Sequence, residues 1–500
     1  MGENSILEYL MVNHRWIFVI FFLLPISFVY EIFNYTRNWI VFRLSTAPTE
    51  HGKKVREVQR QVKKWNESGR KQQMCTARPT WQTMSFRQGT YKSSMFQVKV
   101  NLIDVLEVNV EKKFVRVEPL VSMGQLSATL DPLGWTIPVV PELDDLTVGG
   151  LVMGTGVESS SHKFGLFQHI CRAYEIVLCD GSVVKCTKES DPELFHAIPW
   201  SYGTLGFLVS VEIDIIPAKK YVKLEYEPVT NLKQAMEVFK RQTYAKENNH
   251  FVEGLMFTKE TGVIMTGNMV SEPEEHLVNQ ISRWYKPWFF IHVEKKLRTG
   301  PWIEYIPLRD YYHRHSRALF WEVQDIIPFG NNILFRYLFG WMMPPKVSLL
   351  KLTQTEGIKK MYENNHTIQD MLVPLDHLEE TITKFHEIVK IYPLWLCPYK
   401  LTPEPGFVHS RTNKDDMYVD VGVYGTPKVK NFEPVKSTRE LEDYVQSIQG
   451  HQMLYADTYR TKEEFEKMFD HTLYRKLREK FQCKHAFPEV YGKVNKSVRT

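Results

Sequence analysis

Apolar positions along this chain fall into three regimes. Trp16 to Tyr30, WIFVIFFLLPISFVY, is apolar apart from Ser27 and is bounded by His14-Arg15 and Glu31. At about fifteen residues the run is shorter than the roughly 20 that cross a bilayer, but Ile32, Phe33 and Tyr35 extend it and no small-residue cleavage site follows. It predicts a retained membrane anchor within residues 1–45, its apolar segment at about 16–35; a buried helix of a soluble domain is the alternative. Next, Val55, Val58, Val62 and Trp65 recur at helical spacing among Lys and Arg, which predicts an amphipathic helix. The remainder alternates in the manner of strands, with turns marked by Gly and Asp.

In the first of two folded units, 50–218, strands are expected at 97–109, 113–119 and 205–217, helices at 123–134 (closed by Gly134) and 191–197, and a hairpin at 174–186 around Asp180-Gly181. The second unit, 219–500, opens on the strand YVKLEYEPV (221–229), a helix over 231–247 and strands at 250–257 and 262–270. Further strands at 367–373, 392–397, 417–423 and 452–456 interleave with helices at 376–390 and 436–447. The fold class is therefore α+β, with the second unit built on a largely antiparallel sheet. An aromatic and basic insert, 284–347, interrupts it. Within that insert Phe335, Tyr337, Leu338, Phe339, Trp341, Met342 and Met343 suit either a surface dipping into a membrane interface or a domain core.

Composition narrows the partners. With 500 residues, 43% hydrophobic and 24% charged, the chain is that of a folded protein, and its net charge of +5 is dispersed without a basic arm, so no nucleic-acid partner is expected. Six cysteines show neither metal-ligand spacing nor the density of a disulfide scaffold, and no metal site is expected. Arg37, Arg43, Lys53, Lys54 and Arg56 follow the apolar run against Arg15 alone before it, which orients a single-pass anchor with the bulk of the chain in the cytosol.

The stretch TVGGLVMGTGVESSSHKFGLFQH (147–169) concentrates glycine and serine. Gly149, Gly150, Gly154 and Gly156 are suited to presenting backbone N–H groups to a phosphate, although a glycine-rich structural loop accounts for the spacing equally well. GxxxxGK[ST] is absent, and GTGVES is a broken GxGxxG without a βαβ context.

PELDDLTVGGLVMGTGVESSSHKFGLFQH, DPELFHAIPWSYGTLGFLV, YIPLRDYYHRHSRALFWEVQDIIPFGNN, LFRYLFGWMMPPK and QMLYADTYRTKEEFEKMFD together resemble the Δ24-sterol reductase (diminuto/seladin) family. More distantly, 60–218 is similar to the PCMH-type FAD-binding domain of vanillyl-alcohol-oxidase-type flavoproteins. The resemblance implies a PCMH-type FAD-binding domain followed by a substrate cap. FAD would be held by Thr147, Val148, Gly149, Gly150, Leu151, Val152, Met153, Gly154, Thr155, Gly156, Val157, Glu158 and Ser159, with hydroxyls among Ser159, Ser160 and Ser161 as donors. Gly203, Thr204, Leu205 and Gly206 would approach the flavin, and Ile215 and Ile216 the adenine. The segment MCTARPTWQT (74–83) lacks the histidine that tethers flavin in part of the superfamily, which implies non-covalent FAD, with Arg78 adding charge.

The reaction implied is NADPH-driven saturation of the side-chain C24=C25 bond of a sterol. An unactivated alkene needs a proton as well as a hydride, so one acid must stand in a dry pocket. Tyr312, His313, Tyr455 and Asp457 are the candidates, with Tyr311, His315, Glu322 and Tyr459 behind them. Arg309, Arg314, Arg317 and Lys163 are candidates for the NADPH phosphates. The resemblance further implies the endoplasmic reticulum membrane, and either self-association or association with other sterol-pathway enzymes. An alcohol or lactone oxidase on the same fold, and a non-catalytic sterol- or flavin-binding membrane protein, are the competing readings.

Overall fold

A computed structural model describes residues 3–85, 90–245 and 249–498. The apolar run forms a continuous helix, Arg15–Arg43. A wider turn at Val19–Leu23 precedes Pro25 and absorbs its missing N–H and its ring, which a regular helix would not accommodate. Val19, Ile20, Leu23, Leu24 and Ser27 lie on one face and are buried against the rest of the chain. Phe21, Phe22, Ile26, Val29, Ile32 and Phe33 on the other faces are exposed. The helix's polar residues are turned toward the protein: Ser27 Oγ accepts the Lys346 N–H at 2.9 Å, Glu31 pairs with Lys346, and Arg37 pairs with Asp104. A freely spanning helix keeps its whole circumference for lipid, whereas this one gives a face of its first half to the folded chain.

The expected amphipathic helix is Ala47–Glu67, and all four of its apolar positions are buried. It leans on the first sheet, with Gln59 and Asn66 donating to the carbonyls of Gly181 and Cys179 at 2.7 and 2.8 Å. That sheet has five antiparallel strands in the order Val105–Asn109, Phe114–Val117, Phe207–Asp214, Cys171–Val177, Val183–Thr187. The Asp180-Gly181 hairpin forms as expected, with Gly181 at φ 88°. The expected strand 97–109 is instead two, Phe96–Val98 and Val105–Asn109. Helix Met123–Leu130 ends in a tight turn closed by Gly134 at φ 76°.

Beyond residue 218 an eight-stranded antiparallel sheet follows, in the order Trp302–Pro307, Tyr221–Val229, Gly262–Val270, Phe251–Met256, Leu394–Leu401, Asp416–Gly425, Thr367–Pro374, His451–Gln452. Its edge strand Trp302–Pro307 comes from the aromatic insert and was not expected there; the expected strand 452–456 shrinks to His451–Gln452. All six residues of Phe251–Met256 are buried, because the sheet is covered on both faces. Helices such as Leu232–Tyr244 and Pro434–Ser447 cover one. The first unit covers the other: Val252 donates its N–H to the Ser159 carbonyl at 2.8 Å, so the end of the glycine-rich loop is bonded to the second sheet. The C-terminal helices Thr472–Lys480 and Val490–Val494 then return to the first unit, where Tyr474 shares a hydrogen bond with Thr204 at 2.6 Å and Lys493 donates to the Tyr202 carbonyl.

Candidate active site

Between the two sheets lies a large cavity, a common location for ligand sites. One wall is the glycine-rich loop. Thr147 caps helix Val148–Met153, its Oγ1 accepting the Gly150 N–H at 3.4 Å. Thr147, Gly149, Gly150, Leu151, Met153 and Gly154 through Val157 line the cavity, as do Gly203 and Gly206. Two of the glycines are required by packing: a Cβ at Gly149 would lie 2.7 Å from Pro119 Cβ, and one at Gly156 2.8 Å from Leu151 Cδ2. Bonded to this loop through the Tyr202 N–H and the Met153 carbonyl at 2.8 Å, the next turn holds Trp200, Tyr202 and Gly203 at positive φ, 63°, 52° and 72°. Tyr202, a non-glycine residue held in this region, places backbone strain at the cavity wall, as functional turns do.

The same wall carries two cations, Arg78 and Lys92. Arg78 donates to Thr147 Oγ1 at 3.5 Å and to the Gln82 carbonyl at 2.8 Å; Lys92 donates to the carbonyls of Thr76 and Arg78 at 3.0 and 2.6 Å. Among the described residues no carboxylate forms an ion pair with either, and burial pulls both below their usual pKa. Desolvated cations around a loop of cavity-facing backbone fit an anionic ligand, and FAD's pyrophosphate has that chemistry.

The facing wall is acidic and aromatic. Asp370 in Thr367–Pro374 stands opposite Gly422 in Asp416–Gly425, and Leu372 stands opposite Asp420. Tyr424, two residues beyond Gly422 on the same face, lies back across it and donates to Asp370 Oδ1; Tyr455 donates to the same carboxylate. Burial pushes the Asp370 carboxyl up to about 6 against the pull of these phenols. Asp420 is fully buried and neither of its oxygens has a hydrogen-bond partner among the described residues. Burial, reinforced by Asp370 and Glu142, holds it well above the carboxylate range; Glu142 is raised by burial and by Glu158. Elsewhere on the lining Glu322 accepts from His366 at 2.7 Å, and burial raises it too.

Other expected residues lie elsewhere. Val148 and Val152 point into the core. Glu158 is ion-paired with Arg314 at 2.8 Å, and Arg314 also holds Glu253 at 2.7 Å, all with fully buried side chains; Arg314 is thus committed inside the protein and does not face a nucleotide. Ser159 bonds Tyr311 at 3.0 Å, Ser160 donates to the Pro138 carbonyl at 2.8 Å, and Ser161 Oγ accepts the Glu158 N–H at 3.0 Å, so none of the three hydroxyls lines the cavity. Tyr312 accepts from Thr136 at 3.1 Å and His313 bonds Ser127 at 2.7 Å, both outside the cavity wall. Asp457 pairs with Lys496 at 2.9 Å. His315 sits within 3.3 Å of Glu253, Thr204 is taken up by Tyr474, and Leu205 and Ile215 are core; Tyr459 and Ile216 are likewise absent from the lining. Arg317 donates to the carbonyls of Arg283 and Trp284 at 2.9 Å, while Arg309 and Lys163 are exposed away from the cavity. Of the proposed acids, Tyr455 and Glu322 reach the cavity, and the sequence reading missed Asp370, Asp420, Glu142 and Lys92.

Residues 52–187 match the FAD binding domain family. Delta(24)-sterol reductase of Homo sapiens is 56% identical over 494 residues, covering 99% of this chain and 96% of its own length. Delta(24)-sterol reductase of Arabidopsis thaliana is 40% identical over 521 residues, covering 98% and 93%. L-gulonolactone oxidase of Mus musculus is 29% identical over 147 residues only, covering 29% of this chain and 32% of its own. The fold, the cavity and these likenesses together define an FAD-dependent oxidoreductase with an apolar N-terminal helix fit for membrane anchorage. Identity with curated relatives over nearly the whole length makes the assignment finer: the chain belongs to the Delta(24)-sterol reductase family.

Proposed function

We propose that this enzyme reduces the C24=C25 side-chain bond of sterols with electrons from NADPH, through non-covalently bound FAD. The observation that carries the reading is the opposition of two unlike walls in one cavity. One has Arg78 and Lys92, ion-paired to no carboxylate among the described residues, beside the glycine-rich loop; the other has buried carboxyls, phenols and Trp395. FAD, when bound, supplies the hydride. Thr147, Gly149, Gly150 and Gly154 through Val157 would hold its pyrophosphate together with Arg78 and Lys92, and Tyr202 to Gly206 would border the flavin. The acidic wall holds the proton, and Tyr455 and Tyr424 orient the carboxylate of Asp370.

Sterol entry follows from the cavity's edge. Leu350, Val347 and Ile326 line it beside the N-terminal helix, where the buried Arg15 guanidinium donates to the Leu350 carbonyl. Next to them Leu334, Tyr337, Leu338 and Trp341 are exposed, while Phe335 and Met342 are core. We place this apolar face in one leaflet of the endoplasmic reticulum membrane, the helix lying in the interface and the folded chain on the cytosolic side.

The test is anaerobic. Purified protein in detergent is bleached with NADPH and then given desmosterol. Return of oxidised flavin with formation of the saturated sterol is expected. A flavin that ignores the sterol but recovers at once in air points to an oxidase, and one that NADPH cannot bleach points to a binding protein.

A further inference from the structure

The acidic wall poses a charge-accounting problem. Asp370, Asp420 and Glu142 border one dry part of the cavity, each raised by burial, and Asp420 feels both of the others. Among the described residues the groups that face Asp420 are acidic or neutral. Asp370 and Leu372 approach from Thr367–Pro374, Cys397 and Tyr399 from Leu394–Leu401, Tyr424 from its own strand, Tyr455 from the segment after His451–Gln452, and Glu142 from the loop before the glycine-rich stretch. Among the described residues the cation felt here is Arg314, through Glu142, and it is already matched by two carboxylates. Such a cluster holds little negative charge at neutral pH.

Hydrogen bonds decide where that charge sits. Asp370 accepts from two phenols, which favours its ionised form. Glu142 accepts its own backbone N–H. Among the described residues Asp420 has no donor to stabilise an anion and no acceptor to take its proton. A carboxyl so placed stays neutral, and its O–H is committed to nothing in the protein.

Resting on the sterol-reductase reading above, we propose that Asp420 is the catalytic acid that protonates the sterol alkene. The Asp420 O–H bond breaks and its electron pair stays on the carboxylate. The π pair of the C24=C25 bond takes the proton to make a C–H bond at C24, and C25 takes the hydride that originates in NADPH. The carboxylate left beside Asp370 recovers a proton before the next turnover, so NADPH and one proton are consumed per sterol.

Full-length D420N is expected to be bleached by NADPH at the wild-type rate and to lose sterol-driven recovery by about 10²–10⁴-fold, the usual worth of a positioned general acid. Wild-type recovery at D420N overturns the assignment. In wild type the sterol half-reaction should be flat through neutral pH and fall only above it; a rate that falls as pH rises through 6 transfers the role to Asp370 and overturns the proposal even if D420N does not fold. Infrared spectroscopy gives a readout without turnover: the protonated-carboxyl stretch at neutral pH should lose the amplitude of one group in D420N, and an unchanged amplitude in a folded D420N overturns the proposal. A wild-type protein whose bleached flavin does not respond to sterol, but whose infrared band behaves as expected, refutes the sterol reading and leaves the neutral Asp420 standing.

Discussion

Tyr424 reaches Asp370 across Gly422, a residue of its own strand that has no side chain. A Cβ at Gly422 would lie 2.5 Å from Tyr424 Oη, so the glycine is what lets the phenol lie flat and donate to the carboxylate on the neighbouring strand. Gly422→Ala and Tyr424→Phe should therefore share a phenotype. Loss of this donor removes a force that lowers the Asp370 pKa, moving its titration above about 6. In native protein, where that pKa is raised, Asp370 adds stability that is complete below about pH 4 and drains as pH rises toward 6, at about 1.4 kcal/mol per pH unit. Either variant should extend that loss to higher pH, and Asp370→Asn should flatten it, as measured by thermal unfolding across a pH series.

Arg78 and Lys92 are each expected to contribute to FAD affinity through one charge-assisted contact. Arg78→Gln and Lys92→Gln should each weaken FAD retention by about 10- to 100-fold, the equivalent of about 1.5–3 kcal/mol. Flavin-to-protein ratio after gel filtration, and Kd from flavin fluorescence titration, check this; unchanged ratios in both variants refute the pyrophosphate assignment.

The glycines of the loop are not equivalent. Gly149→Ala drives a Cβ to within 2.9 Å of the Pro119 carbonyl oxygen as well as its side chain, while at Gly150 the nearest group is Thr147 Oγ1 at 3.1 Å. Overpacking against backbone costs about 1–3 kcal/mol. Gly149→Ala should lower the Tm of the apoprotein and shed flavin, and Gly150→Ala should do less of both; differential scanning calorimetry with and without added FAD separates the two effects.

Membrane attachment is predicted to reside on faces that carry no packing. Phe33, Leu334 and Leu338 are 65%, 71% and 63% exposed. The triple change Phe33→Asp, Leu334→Glu, Leu338→Glu should release the protein from liposomes on sedimentation with its Tm intact. Leu23→Asp, on the buried face of the same helix, should instead destabilise the fold by burying an unpaired charge.

The regular parts of the fold were legible because local patterns determined them. Asp180-Gly181 between alternating apolar residues led to the hairpin, and Val55, Val58, Val62 and Trp65 led to the helix that packs through them. The acidic wall left a fainter trace: Asp370 in TIQDMLVP and Asp420 in MYVDVGVYG are lone charges inside runs that otherwise read as buried strand, and each was available as a signal. The sequence offers Arg314 as a candidate for the NADPH phosphates because its partners, Glu253 and Glu158, are 61 and 156 residues away, and no local pattern reports them. The loop's register with Pro119 was likewise invisible, so packing glycines and ligand-facing glycines looked alike.

The return of the C-terminus to the first unit sets an order of events during synthesis. Lys493 borders the cavity and grips Tyr202 in its strained turn, while Arg478 donates to the Thr204 carbonyl at 2.8 Å and to that of Phe487 at 2.7 Å. The segment that matches an FAD binding domain ends at residue 187, yet its cover is made by residues translated some 300 positions later. A nascent chain still on the ribosome lacks that cover, so flavin capture is expected to be a late event in synthesis.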